Sequence, residues 1–204
     1  MLELSWIKYI STPRTKRRGG GAAIAVRLEN FTLSQLNVSI PAKVEVVWGL
    51  VKPKVIGGKF SSLIVCSFYS PPSMGKNKAL INHITLTLPS LLNIHKDAGV
   101  WICGDRNSVD NASFLAIDPS LRQIVDFPTH GTKTIDVVYT NLHRYYQPAI
   151  NLPPLAPGNP LAAVPSDHQG VQAIPITNNG NHHLTKKSVR KCVPFQTPPL
   201  ICSI

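Results

Sequence analysis

A handful of polar residues sit where apolar runs break or end. In WICGDRN the run 100–103 stops at Gly104 and delivers Asp105 and then Asn107. Side chains two apart on an extended segment point the same way, so a carboxylate and an amide would share one side. Asp136 lies between Ile135 and Val137 in TKTIDVVYT, where a carboxylate is costly to bury without a partner. Asp167 and His168 adjoin in VPSDHQGV, just before an apolar stretch, and Tyr69 closes the run in SFYSPP. Carboxylates, an imidazole, an amide and a phenol are the groups of general acid–base work and, with a hard cation, of hydrolysis. Each position also has a plainer reading. GDxN is a turn signature, SDH suits an Asx turn, and Arg106 suits a solvated turn. An Asp within a strand suits an edge or bulge, and Tyr69 suits a core residue with a wet hydroxyl. Three unrelated explanations are then needed in one chain, each at the mouth of a strand.

The elements that must carry these residues follow from periodicity. AAIAVRL (22–28), VEVVWGLV (44–51), SSLIVCSFY (61–69), AGVWIC (98–103), TKTIDVVYT (132–140) and HQGVQAIPI (168–176) are predicted strands. Pro71 and Pro72 stop the third of these. Leu80, Ile84, Leu88, Leu91 and Leu92 recur at helical spacing, which predicts an amphipathic helix over 77–95, kinked or divided at Pro89. SFLAIDPSLRQIV (113–125) reads as a short helix leading into an extended piece, and 147–165 as a long, proline-rich ordered loop. Strands interleaved with hairpins and few helices predict an α/β sandwich rather than a simple parallel βαβ fold.

At 204 residues the chain suits one core with a tail. Net charge is +11, yet the stretch 19–185 holds 12 basic and nine acidic side chains. The excess therefore sits at the ends, in Lys8, Arg14, Lys16, Arg17 and Arg18 and in Lys186, Lys187, Arg190 and Lys191. Basic ends suit a polyanion such as nucleic acid, and equally suit solubilising tails. The four cysteines form no CxxC pair, and Cys66 and Cys103 read as small buried thiols of an intracellular protein, nuclear or cytoplasmic. No apolar run reaches the roughly 18 residues of a membrane span, and MLELSWIKYI lacks the apolar core of a signal peptide.

The series SFYSPP, WICGDRN, PTHGTKTIDVVYTN and VPSDHQGV, in that order, resembles the endonuclease/exonuclease/phosphatase superfamily, DNase I-like. It is most similar to the endonuclease domain at the front of non-LTR (LINE-type) retrotransposon polyproteins, and covers roughly residues 17–177. The resemblance implies a four-layered α/β sandwich of two mixed sheets flanked by helices, with the site at one rim. It divides the chain into a basic lead (1–16), the domain (17–177) and an irregular basic tail (178–204). It implies Mg²⁺-dependent (Mn²⁺ possible) hydrolysis of DNA phosphodiesters, with a reverse-transcriptase domain beside it in the intact element.

The roles implied are specific. Asp105 orients or deprotonates the attacking water, and Asn107 helps place it. His168 stabilises charge on the scissile phosphate, and Asp136 fixes its ring. Asp167 holds the metal, Tyr69 donates to a phosphate oxygen, and Thr129 and Ser166 are substrate contacts. One part of the pattern is absent. The family's first-strand asparagine and metal-binding glutamate precede the RGGG segment, and Glu3 stands in neither the right phrase nor the right setting. The expectation is a fold incomplete at its N-terminus with impaired hydrolysis. The alternatives are an inactive remnant that binds nucleic acid through its basic ends, and a phosphatase of the same superfamily.

Overall fold

The structure is a computed structural model that describes residues 6–12, 21–54, 60–154, 166–176 and 200–202. Its centre is a six-stranded sheet in the order β3-β4-β5-β6-β8-β7. In chain order the elements are β1 (Ile7–Thr12), β2 (Ala22–Arg27), β3 (Phe31–Gln35), β4 (Glu45–Pro53), β5 (Ser62–Tyr69), α1 (Lys78–Ile94) and β6 (Ala98–Asp105). There follow α2 (Asn111–Leu115), β7 (Arg122–Gln123), β8 (Asp136–Thr140), β9 (Ile150–Leu152), β10 (Gly170–Ala173) and β11 (Leu200–Cys202). β5 and β6 pair in parallel, and their other neighbours β4 and β8 are antiparallel. A parallel pair needs a crossover, which α1 supplies.

The β-branched strands β4, β5 and β6 are buried on both faces, as the sheet's central position requires. One face is covered by α1 and α2. Leu80, Ile84, Leu88 and Leu91 of α1 are buried against it, each stabilising the fold by roughly 1.5–3 kcal/mol relative to exposure. Phe68, Phe114 and Tyr139 stack in sequence there, with ring centroids 5.0 and 4.7 Å apart. Trp48 Nε1 donates to His83 Nε2 at 3.0 Å, tying α1 to β4. The helix begins at Asn77, whose side chain accepts from Leu80 N, and runs undivided through Pro89. Pro89 lies on the exposed side of α1.

On the other face lie the β1–β2 hairpin and the β9–β10–β11 sheet, whose Ile24, Val26, Val171 and Ala173 pack with Val47, Val65, Trp101 and Val138. The hairpin and the three-stranded sheet together form the second β layer, here the second sheet, which packs face to face with the six-stranded sheet. With helices on the outer face of the latter, this makes the α/β sandwich that the sequence predicts. Cys66 and Cys103 are both buried. Among the described residues no helix is long and apolar enough to cross a membrane.

Several boundaries differ from the prediction. Residues 7–12, assigned to the lead, form β1 and pair with β2 along its full length. Their burial follows no period of two, so alternation could not reveal them. β3 was equally unmarked, and Leu33 is its one buried residue. Residues 200–202, assigned to the irregular tail, pair with β10. The loop over 147–165 contains β9, and its 155–165 portion lies outside the described residues. So do most of the basic end positions, in 13–20 and 177–199.

Gly104 is not a turn residue but a strand position pressed against its neighbour. A Cβ there would stand 1.9 Å from the Phe68 carbonyl oxygen, at φ +156°. That atom is backbone and cannot swing away. Gly104→Ala should therefore sit at the upper end of overpacking costs, about 2–3 kcal/mol. Thermal unfolding should show Tm lower by on the order of 4–10 °C; an unchanged Tm would mean that β5 and β6 are not this close.

Candidate active site

Register assembles the first half of the site. Glu45 pairs with Tyr69, Tyr69 with Asp105, and Asp105 with Asp136, so one row crosses four strands. Side chains alternate along each strand, and this row shares the face of Val47, Val65, Trp101, Cys103 and Val138. It therefore opens toward the second sheet, at the end of β5 and β6. Asp105 and Asp136 are 3% and 5% exposed. Two buried carboxylates stand side by side.

Each has a dedicated partner. Asn107 N donates to Asp105 Oδ1 at 2.8 Å, and Asn107 Nδ2 donates to Asp105 Oδ2 at 2.6 Å. Asn107 Nδ2 also donates to the Ser70 carbonyl at 3.0 Å. The two residues meet as expected, but by a different geometry. The chain turns after Asp105, and Asn107 takes a left-handed conformation (φ 43°), so an Asx-type turn folds the amide back onto the carboxylate. Burial pushes the Asp105 carboxyl up to about 6, reinforced by neighbouring Asp136 and opposed by the Asn107 hydrogen bonds and by His168. Arg106, expected in solvent, bonds the carbonyls of Val109 and, at 2.8 Å, Thr134. It clamps the two loops that flank Asp105.

The second half comes from the segment before β10. His168 Nδ1 donates to both oxygens of Asp136, at 3.1 and 2.9 Å. Position 168 is far from position 136 in sequence, and only the packing of the second sheet on the first brings them together. Ser166 Oγ accepts from His168 N at 3.1 Å and donates to the His168 carbonyl, so its bonds brace the histidine. Asp167 is exposed. His130 Nε2 donates to its Oδ2 at 2.9 Å, and that hydrogen bond is the main reason its carboxyl sits below the usual range.

Thr129 corrects one expectation. It is fully buried, and its Oγ1 accepts from Ile135 N at 3.1 Å and Asp136 N at 2.9 Å. Its carbonyl accepts from Gln169 N at 2.8 Å. A hydroxyl so enclosed holds the start of β8 and does not face a substrate, while the carbonyl holds the residue after His168. Two residues escaped the sequence reading. Glu45 heads the carboxylate row and accepts from Gly21 N at 3.1 Å. His130 had only its place beside Thr129 to mark it, and nothing in that spacing aims its ring at Asp167.

Two expectations test this geometry. In Thr129→Val two buried amides lose their acceptor, which should cost about 1–3 kcal/mol in chemical denaturation, while Thr129→Ser stays near the parent. Asp105 supplies the second. An aspartate of the unfolded chain titrates near 3.8, and the folded one at about 6. The raised value contributes stability that is full below pH 3.8 and lost as pH rises through about 6. Relative to the parent, Asp105→Asn should therefore gain on the order of 2 kcal/mol between pH 4 and pH 7. A difference in stability that stays flat over that range, followed by thermal unfolding, removes the buried-carboxylate account.

No protein-family model matches the chain, and no curated protein matches it. Among solved structures it is similar to a mannosyl-6-phosphatase of Bacteroides thetaiotaomicron, with a TM-score of 0.59 and 18% identity over 85% of this chain and 78% of that one. An endonuclease/exonuclease/phosphatase family protein of the same organism gives 0.56 and 19%, covering 83% and 75% of the two chains. The human Nocturnin catalytic domain with bound sulfate anion gives 0.53 and 15%, covering 80% and 70%. The sandwich described above, with its polar row at one rim, has the DNase I-like fold of these endonuclease/exonuclease/phosphatase proteins.

Proposed function

We propose that the chain is a phosphodiesterase that nicks DNA, an endonuclease domain of the non-LTR retrotransposon type. The observation that carries this reading is the Asp136–His168 dyad set beside the Asp105–Asn107 pair at one rim. The order of the motifs SFYSPP, GDRN, PTHGTKTID and SDH supports the retrotransposon assignment.

Asp105 is the proton acceptor for the attacking water. At about 6 its pKa lies just below neutral, so it is mostly ionised there yet basic enough to take a proton. Both amide donations of Asn107 are committed, to Asp105 and to Ser70, which leaves its Oδ1 to accept from that water. Asp136 holds His168 by Nδ1, and the imidazole so oriented stabilises the charge that develops on the phosphate. Tyr69 stands next to Asp105 in the row and takes the role of a phosphate contact in this reading. Thr129 and Ser166 act as positioning residues, through Asp136 and His168.

The magnesium ion implied by the resemblance meets an unsuitable donor set. Asp105 and Asp136 already face Asn107 and His168, and the exposed Asp167 is flanked by two imidazoles. Magnesium takes oxygen ligands.

The direct test is nicking of supercoiled plasmid by the purified chain, supplied in turn with Mg²⁺, Mn²⁺ and Zn²⁺, beside His168→Ala. The expected result is nicking that falls about 10²–10⁴-fold in the variant. Equal nicking by both proteins, or salt-sensitive DNA binding with no cleavage at all, would remove the nuclease reading.

A further inference from the structure

His130 sits at the start of a tight turn. Its N donates to the Lys133 carbonyl at 3.0 Å, Lys133 N donates back at 2.9 Å, and Gly131 takes the positive φ (57°) that such a turn needs. The turn carries the His130 ring to the SDH segment. Its centroid is 4.7 Å from that of His168, and its Nε2 is 2.9 Å from Asp167 Oδ2. Asp167 Oδ1 is in turn 3.9 Å from His168 Nε2. The three side chains each offer one ligand atom, and those atoms lie within 4.8 Å of one another.

We propose that His130, Asp167 and His168 form a binding site for a borderline divalent cation (Zn²⁺ or Co²⁺). The site rests on the hydrolytic reading of the same rim and names the ion class that rim would take. Three features support it. The donors are two imidazole nitrogens and one carboxylate, a set that suits these ions and not magnesium. Ligands about 2.0–2.1 Å from a tetrahedral ion stand about 3.3 Å apart, and the three candidate ligand atoms lie within 4.8 Å of one another, close enough to converge on one ion by side-chain adjustment. Finally, His168 Nδ1–H is bonded to Asp136, which fixes the tautomer and leaves the Nε2 lone pair toward Asp167. A ligating histidine anchored through its other nitrogen by a carboxylate is the usual support of such a site.

An ion would replace the proton that His130 Nε2 shares with Asp167. Three protein ligands leave a fourth position open to water or to a phosphate oxygen. The positive charge facing the phosphate is then the ion's, not that of an imidazolium proton. Asp136 keeps its role unchanged.

The test is Co²⁺ titration of the full chain, followed by visible absorption and calorimetry, for the parent, His130→Ala and Asp167→Asn. His182 and His183 in the sequence can bind cobalt too, so the difference between proteins is what is read. His130 and Asp167 are well exposed, so both variants should fold, which circular dichroism checks. The expected result is a site present in the parent and weakened at least about 10-fold in both variants, with Mg²⁺ unable to displace cobalt at equal concentration. Equal cobalt affinity in parent and His130→Ala overturns the site, whatever the plasmid assay gives. Cobalt binding that needs His130, in a protein that nicks nothing, keeps the site and removes the nuclease reading.

Discussion

Two carboxylates directly opposite one another on neighbouring antiparallel strands, both nearly closed to water, are the constraint around which the rim is built. Like charges so placed destabilise a sheet, and burial adds to the cost. The surrounding polar contacts answer that problem. Asn107 satisfies both oxygens of Asp105, His168 spans both oxygens of Asp136, and Thr129 is bonded by the backbone amide of Asp136 itself. The two acids differ in their partners. Burial drives Asp105 up to about 6 against the hydrogen bonds of a neutral amide, whereas Asp136 is held by an imidazole. Two identical side chains thus acquire different jobs from their neighbours alone.

Such a rim is tolerable because the body of the sandwich does not depend on it. Behind the row, the other face of the same strands carries the Phe68–Phe114–Tyr139 stack, the Trp48–His83 bond and the apolar side of α1. Gly104 links the two regions. Its missing side chain lets β6 close on Phe68, and the next residue is Asp105. The close approach that packs the core also sets the carboxylate's position to within the play of a backbone contact. A larger residue at 104 would disturb both at once.

How much of this the sequence disclosed depends on the range of the interaction. α1 and β2 were legible because their burial has a period that local pattern reveals, and β4, β5 and β6 because strands buried on both faces read as apolar, β-branched runs. β1 and β3 were not, since each buries too few side chains to show alternation. At the site, Asp105 and Asn107 were legible as a pair because they are two residues apart, although a turn and not an extended strand joins them. The Asp136–His168 contact was legible only through resemblance, since it spans two sheets. Thr129 was noticed and misassigned, because sequence gives a residue's position and not the side on which its hydroxyl lies. His130 shows the same limit. Its ring direction is set by the turn at Gly131 and by what lies opposite it in space.

The site is therefore of two parts with unequal anchorage. Tyr69, Asp105 and Asp136 are strand residues whose spacing is fixed by ladder hydrogen bonds. His130, Asp167 and His168 come from connections, and two links tie the His168 segment to the first part. One is the dyad itself, and the other is the bond from Gln169 N to the Thr129 carbonyl. Thr129 thus holds both halves, through its hydroxyl to β8 and its carbonyl to the residue beyond His168. Catalytic groups must be held in place, and loops hold side chains less firmly than strands do. A buried threonine with no substrate to touch is what gives a loop histidine the steadiness of a strand residue.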